Sequence, residues 1–291
     1  MPELPEVETV CRGLQELCAK RSISGLSVLW HKSFPGDPAA TLAKLAGKTI
    51  RTVGRRGKLI IINLEGGLHL AIHLKMTGQL VFADPASGAH FGAGHPNDSL
   101  VDSLPDRSTR VIFELGSARL YFNDQRKFGY ILLLDSAALE QLPFLQNLGP
   151  EPFDPLLDDQ TFAKRMRRRK GTSVKAALLD QTVIAGVGNI YADECLWGAQ
   201  LHPARLVATL NDADFARILA ALRQVLQLSI DQGGSSSRNY VNAEGKRGAY
   251  LDFAAVFQRQ GKPCRTCNDT IIKTRVAGRG THLCPSCQIL V

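Results

Sequence analysis

Four cysteines near the end of the chain, Cys264, Cys267, Cys284 and Cys287, stand as C-x2-C-x16-C-x2-C. At that spacing two short turns each offer a pair of thiolates to one tetrahedral ion, as in a structural zinc ribbon. Four thiolates leave no open coordination position, so one structural Zn2+ would fold this module and perform no chemistry. Between the pairs, "NDTIIKTRVAGRGTHL" reads as two strands joined by the turn "AGRG", with Arg279 at the tip. Lys262, Arg265, Lys273, Arg275 and Arg279 face Asp269 alone in this module, a charge density that favours phosphates.

The rest of the 291 residues changes periodicity partway along. Over residues 4–20, Val7, Val10, Cys11, Leu14, Leu17 and Cys18 recur at helical spacing, so Cys11 and Cys18 read as core. Short β-branched runs follow: "KTIRTVGRR", "KLIIINL", "GLHLAIHL", "RVIFEL", "ARLYF" and "GYILLL", a series that predicts a sandwich or barrel. The stretch 84–106, rich in Gly, Pro, Ser and Asp, reads as a long exposed loop. "LGPEPFDPLLDD" at 148–159 breaks the pattern, and beyond it "DQTFAKRMRRRK", "TSVKAALLDQ", "NIYADECLWG" and "DADFARILAALRQVLQLSIDQ" are helical. Cys195 lies on one of these helix faces and reads as core, while "GGSSSRNYVNAEGKRGAY" at 233–250 reads as a mobile loop over a site.

A formal charge of +8 and a pI near 9.2 point to an anionic partner, with nucleic acid first among them. No run reaches the roughly 20 apolar residues of a spanning helix. The first residues also lack the basic and apolar regions of a signal peptide. The expected setting is the cytoplasm, where cysteines stay reduced.

"PELPEVET" after Met1, "HLKMTGQL", "NDQRKFG", "DQTVIAGVGNIYADE" and "GRGTHLCPSCQ" occur in this order in one chain. Together they closely resemble the bacterial formamidopyrimidine-DNA glycosylase family. The likeness runs over nearly the whole chain, and the opening favours this branch over the related endonuclease VIII branch. It implies an α+β multidomain protein: a β-sandwich with a leading helix (2–138), a linker (139–157), a helix-two-turn-helix domain with a lesion loop (158–252) and a zinc-finger hairpin (253–291). It also implies a monomeric bacterial enzyme, nucleoid-associated in use, acting on damaged double-stranded DNA with no membrane partner. Such an enzyme excises 8-oxoguanine and formamidopyrimidines and then cuts the backbone by β,δ-elimination. The alternatives are an endonuclease VIII-like enzyme for oxidised pyrimidines and a non-catalytic zinc-finger DNA-binding protein.

By the same resemblance Pro2, exposed by loss of Met1, is the nucleophile, an amine being able to form an iminium ion with the sugar carbon. Taken alone, a proline at the second position is only a common start. Glu3 is the general acid, for which a raised pKa is expected, with Glu6 and Glu8 as alternatives on the same helix. Lys58 assists elimination and meets phosphate, Arg279 serves phosphate binding and the final elimination, and Asn189 meets a flanking phosphate at a helix N-terminus. Met76, Arg126 and Phe128 fill the hole left by the extruded base. Composition alone would put Met76 and Phe128 in the sandwich core. Lys170 and Lys175 align with family lysines near DNA, whereas the rest of "KRMRRRK" fits an ordinary basic helix face. Two departures stand out: Lys127 replaces a second arginine, and Ser108, flanked by Arg107 and Arg110, replaces a DNA-contacting histidine.

Overall fold

A computed structural model of the chain describes residues 2–95, 103–235 and 249–290. The described residues form two compact units. One holds the chain up to Gln146 with the described residues between Gln232 and Ala249, and the other holds Asn147–Asp231 with the described residues from Tyr250 onward.

In the first unit, helix α1 (Leu4–Cys18) starts with Pro5 in its first turn, where a missing N–H costs nothing. A capping box closes its start. The Glu3 N–H donates to Glu6 Oε2 at 2.8 Å, and the Glu6 N–H donates to the Glu3 side chain. Val7, Val10, Cys11, Leu14 and Cys18 are buried, as their spacing predicts. There follow β1 (Gly25–Val28), α2 (Pro38–Leu45), β2 (Ile50–Arg56), β3 (Leu59–Leu64), β4 (Leu68–His73), β5 (Gly78–Asp84), β6 (Ala89–Gly94), β7 (Thr109–Leu115), β8 (Ala118–Asp124), β9 (Tyr130–Asp135), α3 (Ser136–Glu140) and α4 (Pro143–Gln146).

The strands form a five-stranded sheet, β1-β7-β8-β5-β6, and a four-stranded one, β2-β3-β4-β9. Ile60, Ile62, Leu70 and Ile72 of one share a core with Leu80, Phe82, Phe113 and Phe122 of the other, which makes the unit a sandwich. Full burial of each such side chain contributes about 1.5–3 kcal/mol. The α1 residues Val7, Val10 and Leu14 join that core.

Within the expected 84–106 loop the structure has strand β6, so that expectation is corrected for 89–94, and residues 96–102 lie outside the described ones. One glycine that suggested a loop, Gly94, is there because the backbone is crowded. A Cβ on Gly94 would sit 2.4 Å from the Gly78 carbonyl oxygen, and one on Gly13 of α1 would sit 2.2 Å from the Phe91 ring of β6. Helix α2 was missed in the same half. Its signal was present, with Asp37 as N-cap accepting the Ala40 N–H at 2.8 Å and Pro38 in its first turn.

The second unit contains α5 (Asp159–Arg167), α6 (Val174–Leu179), α7 (Asn189–Gly198), α8 (Asp212–Asp231), α9 (Tyr250–Phe253) and the hairpin β10 (Ile272–Val276) and β11 (Arg279–Leu283). Asp158 and Ser173 cap α5 and α6 by accepting the N–H groups of Thr161 and Ala176. Between α6 and α7, the Gln181 side chain staples two successive turns: its Nε2 donates to the carbonyls of Leu179 and Val187, and its Oε1 accepts the Gly186 N–H. The zinc-module segment packs in the same unit as these helices. Buried Glu194 of α7 accepts the consecutive N–H groups of Ala255, Val256 and Phe257 at 2.7, 2.9 and 2.7 Å. Among the described residues no helix is long and apolar enough to cross a membrane.

Candidate functional site

Helix α1 lies along β2 with a regular stagger. The Val53 N–H donates to Gln15 Oε1 at 2.6 Å, the Cys11 thiol to the Gly54 carbonyl at 3.2 Å, and Arg55 Nε to Glu8 Oε2 at 2.7 Å. Moving toward the helix start therefore means moving toward Arg56, and continuing that stagger directs the Gly57–Lys58 turn toward the amino end of α1. Pro2, Glu3 and Lys58 are all buried. Glu3 occupies the N-cap, a position for which Ser, Thr, Asp and Asn are much better suited. A locally poor choice of this kind is expected where a residue serves function.

Glu6, weighed from sequence as an alternative acid, has both carboxylate oxygens engaged in hydrogen bonds. Its Oε1 accepts the backbone N–H and the hydroxyl of Ser235 at 2.7 and 2.8 Å. The neighbouring Gly234 has φ +89°, and a Cβ there would meet the Glu6 side chain at 3.2 Å, so only glycine fits without strain. Sequence reasoning passed over both contacts because 229 residues separate the partners. Residues 236–248 of the expected lesion loop lie outside the described ones.

Met76 and Phe128 are not sandwich core. They are 40% and 56% exposed, on the turns following β4 and β8. Arg126 stacks its guanidinium over the Phe128 ring at 4.9 Å. Buried Asp124, which sequence reasoning read only as part of a motif, fixes both turns: its carboxylate accepts the Thr77 hydroxyl and the N–H groups of Arg126 at 3.1 Å and Gly129 at 2.6 Å. Each turn also contains a lysine in the left-handed region, Lys75 at φ +50° and Lys127 at φ +60°. Such non-glycine conformations persist only where surrounding contacts enforce them, and they gather at functional turns. Lys127 is held by stacking its ammonium over Trp30 at 4.0 Å.

The two arginines flanking Ser108 are not equivalent. Arg110 is buried and spent on backbone carbonyls: Nε on Asp124 at 2.8 Å, Nη1 on Arg107 at 3.0 Å and on Thr109 at 3.2 Å. Arg107 is exposed and borders, with Ser108, Arg110 and Gln125, a surface hollow of about 290 Å3.

In the second unit, Asn189 opens α7 after the N-cap Gly188. Its Nδ2 donates to the Gly280 carbonyl at 3.0 Å, which leaves the second amide hydrogen for an anion at the helix N-terminus. Arg279 is exposed directly after the two-residue turn Ala277–Gly278, whose φ values of +48° and +75° are those of a tight hairpin turn. Gly280 follows Arg279 in the chain, so the Asn189 bond to the Gly280 carbonyl lies one residue from Arg279. Lys170 is exposed in the turn after α5. Lys175, expected near DNA, is instead completely buried in an ion pair with Asp193. The basic run fits the ordinary reading in part: Arg165 binds the carbonyls of Val183 and Thr182, Arg167 pairs with Asp212, and Arg169 with Asp180.

The sulfur atoms of Cys264, Cys267, Cys284 and Cys287 lie within 4.8 Å of one another. The Cys264–Cys287 and Cys267–Cys284 separations are 3.9 and 3.4 Å. Thiolates about 2.3 Å from a tetrahedral zinc ion are about 3.8 Å apart, so the set fits that ion. The pairs are too far apart for disulfides. Burial pushes the Cys264 thiol up, but hydrogen bonds from the N–H groups of Cys267 and Thr266 and from the Trp197 and Cys284 side chains together outweigh it and bring it down to about 6.

Three sequence families match in series. These are "Formamidopyrimidine-DNA glycosylase N-terminal domain" over residues 1–131, "Formamidopyrimidine-DNA glycosylase H2TH domain" over 148–241 and "Zinc finger found in FPG and IleRS" over 261–289. The formamidopyrimidine-DNA glycosylase of Pelotomaculum thermopropionicum is 42% identical over 99% of both chains, and that of Chloroflexus aggregans is 42% identical over 100% of both. Among solved structures, a Lactococcus lactis Fpg variant in complex with Fapy-dG-containing DNA aligns with a TM-score of 0.86 at 30% identity, covering 99% of this chain and 100% of that one. The Lactococcus lactis Fpg complex with abasic-site DNA aligns at 0.85 and 30%, covering 99% of each.

Proposed function

The chain belongs to the formamidopyrimidine-DNA glycosylase family, and on that premise we propose that it excises oxidised purines from double-stranded DNA and cleaves the strand at the abasic site. What supports this reading is the burial of Pro2, Glu3 and Lys58, together with the stagger of α1 along β2 that directs the Lys58 turn toward the start of the helix.

With Met1 removed, the Pro2 amine attacks C1′ of the damaged nucleotide. A terminal amine titrates near ~8, so part of it is unprotonated at neutral pH, and the positive end of α1 favours that neutral form. As the N-glycosidic bond breaks, the base leaves and the sugar ring opens, with Glu3 supplying the proton to the ring oxygen. The resulting iminium withdraws electrons from C2′. Loss of a C2′ proton then expels the 3′ phosphate, and a second elimination, assisted by Arg279, expels the 5′ phosphate. Lys58 adds positive charge beside the departing phosphate.

Met76, Arg126 and Phe128 take the space of the extruded base. Two apolar wedges and a guanidinium that can hydrogen-bond the unpaired partner base suit that hole. Asn189, Lys170 and Arg279 hold flanking phosphates, and Arg107 is the residue available for the phosphate contact beside Ser108. The zinc ion, held by Cys264, Cys267, Cys284 and Cys287, supplies fold alone. The work belongs in the bacterial cytoplasm, at the nucleoid.

Borohydride tests this. Incubation with a duplex carrying 8-oxoguanine should trap a covalent protein–DNA adduct, and the Pro2→Gly variant should trap none while still binding DNA. An adduct on an oxidised-pyrimidine duplex alone would favour endonuclease VIII-like chemistry, and no adduct on either would leave a binding protein.

A further inference from the structure

One backbone carbonyl in the second unit serves two side chains that sequence reasoning treated separately. The Gly280 oxygen accepts from Asn189 Nδ2 and from Lys175 Nζ, each at 3.0 Å. Lys175 Nζ also donates to Thr281 Oγ1 at 2.7 Å, and the Thr281 hydroxyl passes the chain on to the Arg279 carbonyl at 3.0 Å. Asp193 Oδ1 lies 2.6 Å from Lys175 Nζ, with both side chains 0% exposed. The other oxygen of Asp193 accepts the His282 N–H at 2.9 Å.

Stability alone is a poor reason for this arrangement. Desolvation offsets most of the attraction within a buried ion pair, and an apolar pair of similar volume often holds two elements together as well or better. What the pair adds is direction. An ammonium donating to two chosen acceptors, and a carboxylate accepting one chosen N–H, hold β11 in one register and rotation against α6 and α7. Apolar contacts do not fix backbone orientation in this way.

We infer that Lys175 and Asp193 are positioning residues for phosphate capture. They fix the carbonyls of Arg279 and Gly280. By doing so they set the direction in which Arg279 leaves its turn and the way the Asn189 amide presents its second hydrogen. Neither touches DNA; both act through the hairpin. The inference rests on the proposed roles of Arg279 and Asn189.

The test uses the zinc-loaded protein and a duplex carrying a tetrahydrofuran abasic analogue, which cannot be cleaved. In the paired variant Lys175→Met/Asp193→Leu no charge is left unpaired, although the His282 N–H loses its acceptor, so stability should fall modestly while unfolding stays cooperative and zinc content stays that of the parent. Its affinity should fall on the order of tenfold, because misplacing a binding group by about an ångström is costly. Each phosphate that the variant no longer neutralises should make the salt dependence shallower by about 0.9. On an 8-oxoguanine duplex KM should rise by a larger factor than kcat falls, and less of the product should reach the second elimination. A folded, zinc-loaded double variant with the affinity and salt slope of the parent would overturn the inference. Should that variant fail to hold zinc, Thr281→Val decides, since it removes the Lys175-to-Arg279 relay with little change of shape: weaker binding with zinc retained supports the inference, and parental binding overturns it. A parent protein that binds no abasic duplex would sink the proposed function instead.

Discussion

Glu6 grips Ser235 twice with one carboxylate oxygen, at 2.7 Å from the backbone N–H and 2.8 Å from the hydroxyl, while its other oxygen accepts the Glu3 N–H at 2.8 Å. One side chain thereby ties the start of α1 to the stem of the 233–250 segment. Glu6→Gln turns one of these acceptors into a donor facing an N–H. The expected cost is about 1–3 kcal/mol of stability for a buried donor left unpaired. Single-turnover base release should slow more than binding of an abasic duplex weakens. Denaturant melts and rapid-quench kinetics on the same preparation measure both, and an unchanged rate would detach Glu6 from the reaction.

Asp124 makes an equally sharp prediction for the two exposed turns. Asp124→Asn would point an amide N–H2 at the N–H of Gly129, or at the groups of Thr77 and Arg126, so at least one donor loses its partner. A loss of about 2 kcal/mol in stability is expected. Because Met76, Arg126 and Phe128 ride on these turns, affinity for duplexes with a vacated base position should fall further than affinity for intact duplex. Anisotropy titrations with the two DNAs test this, and equal losses would show that the turns are not used.

What could be read from the sequence were the features whose cause is local. "KLIIINL" is a strand because β-branched residues suit a pleated, buried surface, and β3 follows it. The zinc cysteines lie in two short turns whose spacing already determines their geometry. Features caused by distant contacts were not legible. β6 looked like a loop because its Gly94 answers crowding from the distant Gly78 backbone. Lys175 looked like a surface cation because nothing near it in the chain announces Asp193 as a fully buried partner. The roles of Pro2 and Glu3 came from resemblance to a family; the structure adds the capping box at Glu3 and the burial of both residues.

Zinc removal should act on the hairpin before anything else. The four thiolates surround a position where their mutual repulsion is relieved by a divalent cation. Chelation should abolish binding to an abasic duplex, because Arg279 and the Gly280 carbonyl lose their support, and added Zn2+ should restore it. Acid should do the same, as protons compete for thiolates. Metal analysis alongside anisotropy checks the link, and DNA binding that survives complete loss of zinc would refute it.

His73 gives the protein a measurable acid sensitivity. The ring is 7% exposed, and its Nδ1 accepts the Lys75 N–H at 3.0 Å. Burial first, and then the charges of Lys75 and Lys58, hold its pKa down to about 3, against 6.5 for an ordinary histidine. Between those values the unfolded chain binds a proton that the native protein refuses, so stability is complete above 6.5 and declines as pH falls toward 3. From pH 7 to pH 5 this one group should remove about 2 kcal/mol. Other groups titrate in the same range, but they are common to the parent and to His73→Asn, whose amide oxygen can still accept the Lys75 N–H. The parent should therefore lose about 2 kcal/mol more than the variant across that interval in urea melts. Equal losses would mean that the native His73 ring takes up its proton near the ordinary value, and that the two lysines and the surrounding burial do not act on it.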